Sequence, residues 1–152
     1  MVAPGVNVLS TYSGPVAQNT YAYMSGTSMD KPVVAGQAAL IKSNWNFLPA
    51  KDIARVIFQS ATRLCSDTTS AAVCAARTSA DKMYGWGLVN IGASLQPIGG
   101  LNVGTASGAK VVYAGTQVAP PKAGLAAGLK GLNTMAVDKF NRGFVVNVGA
   151  LR

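Results

Sequence analysis

The chain has 152 residues, 49% of them apolar and 12% charged, with 17 glycines. Such a composition excludes a disordered polypeptide, whose low hydrophobicity cannot offset the entropy of ordering, and fits one closely packed domain with a tail. The formal charge of +8 comes from 13 basic and 5 acidic residues. Lys31, Lys42, Lys51, Arg55, Arg63, Arg77, Lys82 and Lys110 nevertheless stand singly, without the clusters or interleaved aromatics of a phosphate-tracking groove, so no nucleic-acid partner is expected.

Met1 is followed by neither a charged leader nor a long apolar run, so no signal peptide is expected in this chain. The longest apolar run, Val33 to Ile41, is broken by Gly36 and Gln37 and flanked by Lys31 and Lys42, which argues against a transmembrane helix.

In chain order, Val2 to Leu9 alternates loosely around Pro4-Gly5 and predicts a short buried strand. Ser10 to Thr20 reads as loop, from its Ser13-Gly14-Pro15 and Gln18-Asn19 turn signals. Tyr21 to Met24 predicts a brief strand. From Ser28 to about Ser43 the pattern is helical, and Met29, Val33, Ala35, Ala38, Ala39, Leu40 and Ile41 leave little polar surface. That pattern predicts a helix buried around its circumference, with Pro32 in its first turn.

Pro49 opens a second, one-sided helix, in which Ile53, Val56, Ile57 and Ala61 share a face while Lys51, Asp52 and Arg55 point away. A loop is expected from there to about Lys82, then a short strand at Tyr84-Gly85-Trp86-Gly87-Leu88-Val89-Asn90. Asn90 is placed to cap a last short helix to Leu95. Beyond Gly99-Gly100 the texture turns Gly/Ala/Pro-rich, with two β-like runs, Lys110 to Tyr113 and Gly143 to Val148.

Cys65 and Cys74 lie nine positions apart in a Ser/Thr/Ala-rich stretch. Read by themselves they are either a local disulfide of an exported protein or two free thiols. There is no CxxC spacing and no histidine, so no metal site is expected.

The chemistry concentrates in Met24-Ser25-Gly26-Thr27-Ser28-Met29-Asp30-Lys31-Pro32, a strand, a glycine turn and a helix that opens on serine. A serine there sits among N–H groups without intrahelical acceptors, at the positive end of the helix dipole, which suits acyl transfer through an oxyanion. Serine is also a common N-cap, so the segment by itself admits a purely structural reading.

Gly26-Thr27-Ser28-Met29, with Pro32 and then Val33-Val34-Ala35-Gly36-Gln37-Ala38-Ala39-Leu40, resembles the nucleophile motif of the subtilisin-like serine proteases. Val2-Ala3-Pro4-Gly5-Val6-Asn7-Val8 is similar to the strand that precedes that motif in the family, and Tyr84 to Asn90 to its closing Tyr-Gly-x-Gly segment. The resemblance implies an α/β fold with a parallel sheet and a buried nucleophile helix. Residues 1–97 are then the C-terminal portion of a peptidase domain, and residues 98–152 a Gly/Ala/Pro-rich tail with short strands. It also implies that Ser28 is the nucleophile and contributes its N–H to the oxyanion hole, that Ser25, Gly26 and Thr27 line the substrate cleft, and that Cys65 and Cys74 pair in an exported protein.

In the family the activating histidine and aspartate precede the serine. Here histidine is absent and all five acids lie at or after Asp30, so the chain is expected to be an inactive fragment of a serine endopeptidase. Asp30 and Val33 stand where the family usually has a small residue and often a histidine. Asp30 reads as an exposed first-turn acid paired with Lys31 or solvent, the alternative being a buried charge that opposes a nearby oxyanion. The expected partners are a polypeptide substrate and the upstream part of the domain, with no cofactor for the chemistry. Calcium, common in the family, cannot be placed. The parent is expected to be secreted or in the cell envelope. The run Thr134 to Phe144 is similar to a junction in exported bacterial subtilases that continue into an outer-membrane barrel, and reads equally as part of a β-like appendage that packs on the protease core. The competing expectation is a non-catalytic binding or envelope module.

Overall fold

The computed structural model describes residues 1–15, 20–66, 70–76, 79–104, 110–113 and 133–147. Val8–Tyr12 (β1) and Thr20–Met24 (β2) form an antiparallel hairpin in the register Val8↔Met24 to Tyr12↔Thr20. The expected strand from Val2 therefore begins only at Val8. Pro4 lacks a ladder N–H, and Asn7 takes a left-handed φ of 51° that interrupts the extended chain. Ser10 to Tyr12, read as loop, is strand because β2 supplies its ladder partners. The side chains of Leu9, Tyr21 and Tyr23 point outward and are exposed.

Thr27–Asn44 (α1) and Ala50–Ser60 (α2) follow. In α2 the predicted face is the buried one, with Ile53, Val56 and Ile57 in the core and Ala61 just beyond, while Lys51 and Arg55 are exposed. Ile41 from α1 and Leu48 complete that core. In this chain α1 is covered on one side: only Gln37 and Ile41 are buried, Leu40 is 44% exposed, and Ala35, Gly36 and Ala39 face outward. The reason is that α2 and the short helix Ile91–Ser94 (α4) cover one side of it.

Ala71–Ala76 (α3) is a helical turn and a half inside the stretch read as loop, and Cys74 within it is disulfide-bonded to Cys65, with a Cα separation of 6.1 Å. Residues 84–90, read as strand, contribute only isolated bridges. Gly85 (φ 58°) and Gly87 (φ 112°) turn the chain out of the β region. Leu88 bridges Val2 in parallel and Thr62 in antiparallel sense, and Thr62 and Leu88 exchange both backbone hydrogen bonds at 2.8 Å. Asn90 caps α4 as expected, its Oδ1 accepting the Ala93 N–H at 2.8 Å. Trp86 stacks on Phe58 with centroids 5.9 Å apart.

Met1–Ser94 is one compact unit and Leu95–Arg152 a second. The second holds Leu101–Gly104 (β3), Lys110–Tyr113 (β4), Asn133–Val137 (β5) and Gly143–Asn147 (β6) in an antiparallel sheet of order β4-β3-β5-β6. Two of these strands, β4 and β6, are the runs read as β-like; β3 and β5 escaped notice among small and polar residues. The β5–β6 turn is built on Asp138 and Arg142. The Asp138 carboxylate accepts from the N–H groups of Ile98, Phe140 and Arg142 and from Arg142 Nε and Nη2, the last at 2.7 Å. Both side chains are fully buried, and Arg142 also donates to the Gln96 carbonyl at 2.8 Å.

Candidate functional site

The strand β2 ends at Met24, and two residues later the chain turns into α1 at Gly26, whose φ of 153° and ψ of 168° favour glycine. The turn is fixed from two sides. The Gly26 N–H donates to the Gly5 carbonyl at 2.8 Å, and the Met29 N–H closes back on the Gly26 carbonyl at 2.9 Å. Ser25 is held as well: its Oγ accepts the Asn7 N–H at 2.9 Å, across a separation of 18 residues, so the left-handed Asn7 is the outer brace of the serine turn.

Ser28 is the second residue of α1 and is exposed. Its N–H belongs to the first turn, which lacks intrahelical acceptors, and the dipole of an 18-residue helix points its positive end there. An anionic oxygen beside Ser28 would meet that N–H and that field. Pro32 is the sixth helical residue rather than a first-turn one, because the helix starts at Thr27. It has no N–H to offer the Ser28 carbonyl four residues back.

No histidine exists in the sequence, and the Ser28 hydroxyl has no hydrogen-bond partner among the described residues. Asp30 is half-buried rather than exposed and makes no ion pair with Lys31 among the described residues. It borders an apolar groove of about 390 Å³ lined by Met1, Ala3, Val34, Ala38 and Phe58. Ser25, Gly26, Thr27 and Ser28 are thus contiguous and all exposed on one turn. Sequence reading missed Gly5 and Asn7 as the braces of that turn; the only local signal was the tolerance of asparagine for a left-handed backbone.

The subtilase family model matches residues 1–87, more than half of the chain. The chain belongs to the subtilase family. This subtilase is 43% identical over 94 residues to a thermostable alkaline protease of Halalkalibacterium halodurans, a stretch that is 62% of this chain and 21% of that protein. It is 38% identical over 96 residues to subtilisin DY of Bacillus licheniformis, covering 63% of this chain and 28% of that one. Over a shorter stretch of 43 residues, 28% of this chain and 10% of the relative, it is 60% identical to a thermophilic serine proteinase of Bacillus sp.. The subtilase chain therefore spans at most 28% of the length of these relatives. Its mixture of helices and strands agrees with the α/β class. No helix among the described residues is long and apolar enough to cross a membrane.

Proposed function

We propose that this subtilase chain is the nucleophile-bearing part of a serine endopeptidase, which cleaves peptide bonds through an acyl-enzyme, and that by itself it is inactive. The observation that carries the reading is an exposed serine on a glycine-gated helix N-terminus in a chain without histidine. The Ser28 hydroxyl attacks the scissile carbonyl, the Ser28 N–H and the α1 dipole stabilise the oxyanion, and Ser25, Gly26 and Thr27 line the cleft. A histidine base and its orienting aspartate come from the upstream part of the protease domain. Without them the rate falls by several orders of magnitude. The chemistry requires no cofactor.

The finer architecture we propose is the last part of a parallel sheet with helices on both faces, formed by residues 1–97, followed by a β-rich appendage at 98–152. The parallel Val2–Leu88 pairing and the uncovered side of α1 support it. The Cys65–Cys74 disulfide supports a parent that is secreted or held in the cell envelope. The run Thr134 to Phe144 supports, among such parents, one that continues into an outer-membrane barrel.

A fluorophosphonate probe tests the reading. The purified chain is expected to remain unlabelled, whereas co-expression with a subtilase segment that bears the aspartate and histidine should yield labelling at Ser28 and casein hydrolysis, both lost in Ser28→Ala. Labelling of the isolated chain contradicts its inactivity; a complex that forms but never labels contradicts the role of Ser28. A second reading, a non-catalytic binding module, is favoured by the chain's own core of Ile41, Val56, Ile57 and Ala61. A stable folded monomer in gel filtration and circular dichroism supports that module.

A further inference from the structure

Beside the cysteine pair lies a buried carboxylate that the serine chemistry does not use. Ser66, next to Cys65, donates both its backbone N–H and its hydroxyl to Asp81 Oδ2, at 3.1 and 2.9 Å. The other oxygen, Oδ1, accepts the N–H groups of Met83 and Tyr84, each at 2.8 Å. Asp81 and Gly85 exchange backbone hydrogen bonds at 2.7 and 2.9 Å. Arg63 reaches over the same segment to the carbonyls of Gly85 and Ser79, at 3.2 and 2.8 Å. One carboxylate, 6% exposed, and one guanidinium thus clamp residues 63–66 onto residues 79–85.

The disulfide ties this clamp to α3, a six-residue helix far below the length that holds itself together in water. A buried carboxylate is tolerated only while its donors stay in place, and withdrawing Ser66 removes two of them from Asp81. The neighbouring structure is secured independently. The helices α1 and α2 share the Ile41, Val56 and Ile57 core, and Leu88 keeps its backbone bonds to Thr62.

We propose that Cys65–Cys74 is a redox latch for the clamp of Cys65 and Ser66 on residues 79–85. Oxidised, it holds Ser66 on Asp81; reduced, Ser66 leaves Asp81 and residues 79–85 open, while α1, α2 and the Leu88 bridges remain. The step is thiol–disulfide exchange with a dithiol. Two electrons and two protons pass to the S–S bond, which breaks to give thiols at Cys65 and Cys74, and the dithiol closes to its own disulfide. The closed form belongs to an oxidising compartment and the open form to a reducing one. This inference does not depend on the role of Ser28.

Hydrogen exchange read by mass spectrometry on the whole chain, with and without dithiothreitol and with the thiol state checked by alkylation, tests the latch. On reduction, peptides covering 79–85 should exchange about ten-fold faster or more, those of α1 and α2 should change little, and reoxidation should restore protection. Asp81→Asn turns the Oδ2 acceptor into a donor and should open the same segment with the disulfide intact. Unchanged exchange at 79–85 in fully reduced chain overturns the proposal. So does equal acceleration in α1 and α2, which signals global unfolding, and so does an Asp81→Asn chain protected like the parent.

Discussion

Arg142 carries its charge into the second unit with every access to solvent closed, and tolerates this because Asp138 takes two of its N–H groups, Gln96 a third contact, and the Phe140 and Phe144 rings lie 5.9 and 5.4 Å from its guanidinium carbon. Removing one member leaves the other buried without its counter-charge. Arg142→Ala should therefore destabilise the β5–β6 hairpin by about 3–5 kcal/mol, whereas replacing both members by leucine should cost much less. Urea titration of the two variants, followed at the hairpin amides, measures the difference; equal losses would contradict it. At this scale the serine turn was legible in the sequence, because its glycine, serine and proline act on neighbours a few residues away. The braces were not legible. Asn7 reaches Ser25 and Gly5 reaches Gly26 only after the hairpin folds back.

Among the elements, α2 shows where periodicity suffices. Its apolar residues recur on one face and that face is buried, so Ile57→Ala should cost about 2–5 kcal/mol while the exposed Lys51→Ala stays within about 0.5 kcal/mol. Thermal melts of the two variants check the contrast; comparable shifts would place Ile57 outside the core. The α4 cap was also readable, since Asn90 contacts a backbone N–H three residues on. Elsewhere periodicity misled. The apolar run of α1 specifies burial without specifying a partner, and in this chain one side only receives it. In the 84–90 stretch, β-forming Tyr84, Trp86 and Val89 were outweighed by two glycines with positive φ.

For the whole molecule, the exposed apolar surface around α1 and α2 matters most. Val34, Ala38 and Phe58 line a groove of about 390 Å³, and Leu40 and Phe47 add exposed apolar surface. Apolar patches of that kind drive association. The chain should self-associate as its concentration rises, and Phe58→Glu should weaken that association. Analytical ultracentrifugation decides the matter; a concentration-independent monomer would show that the groove is tolerated in water.

The sequence by itself determined what depends on near neighbours: the family motif around Ser28, the periodic face of α2, the Asn90 cap and the glycine turn. Tertiary structure decided what depends on the chain returning to itself: the Asn7 and Gly5 braces, the clamp of Ser66 on Asp81, the antiparallel pairing of β3 with β5, and which side of α1 is covered. Local propensities act over a few bonds, while these hydrogen bonds and strand pairings join residues 15 to 35 positions apart, and their partners are chosen by the geometry of the folded backbone.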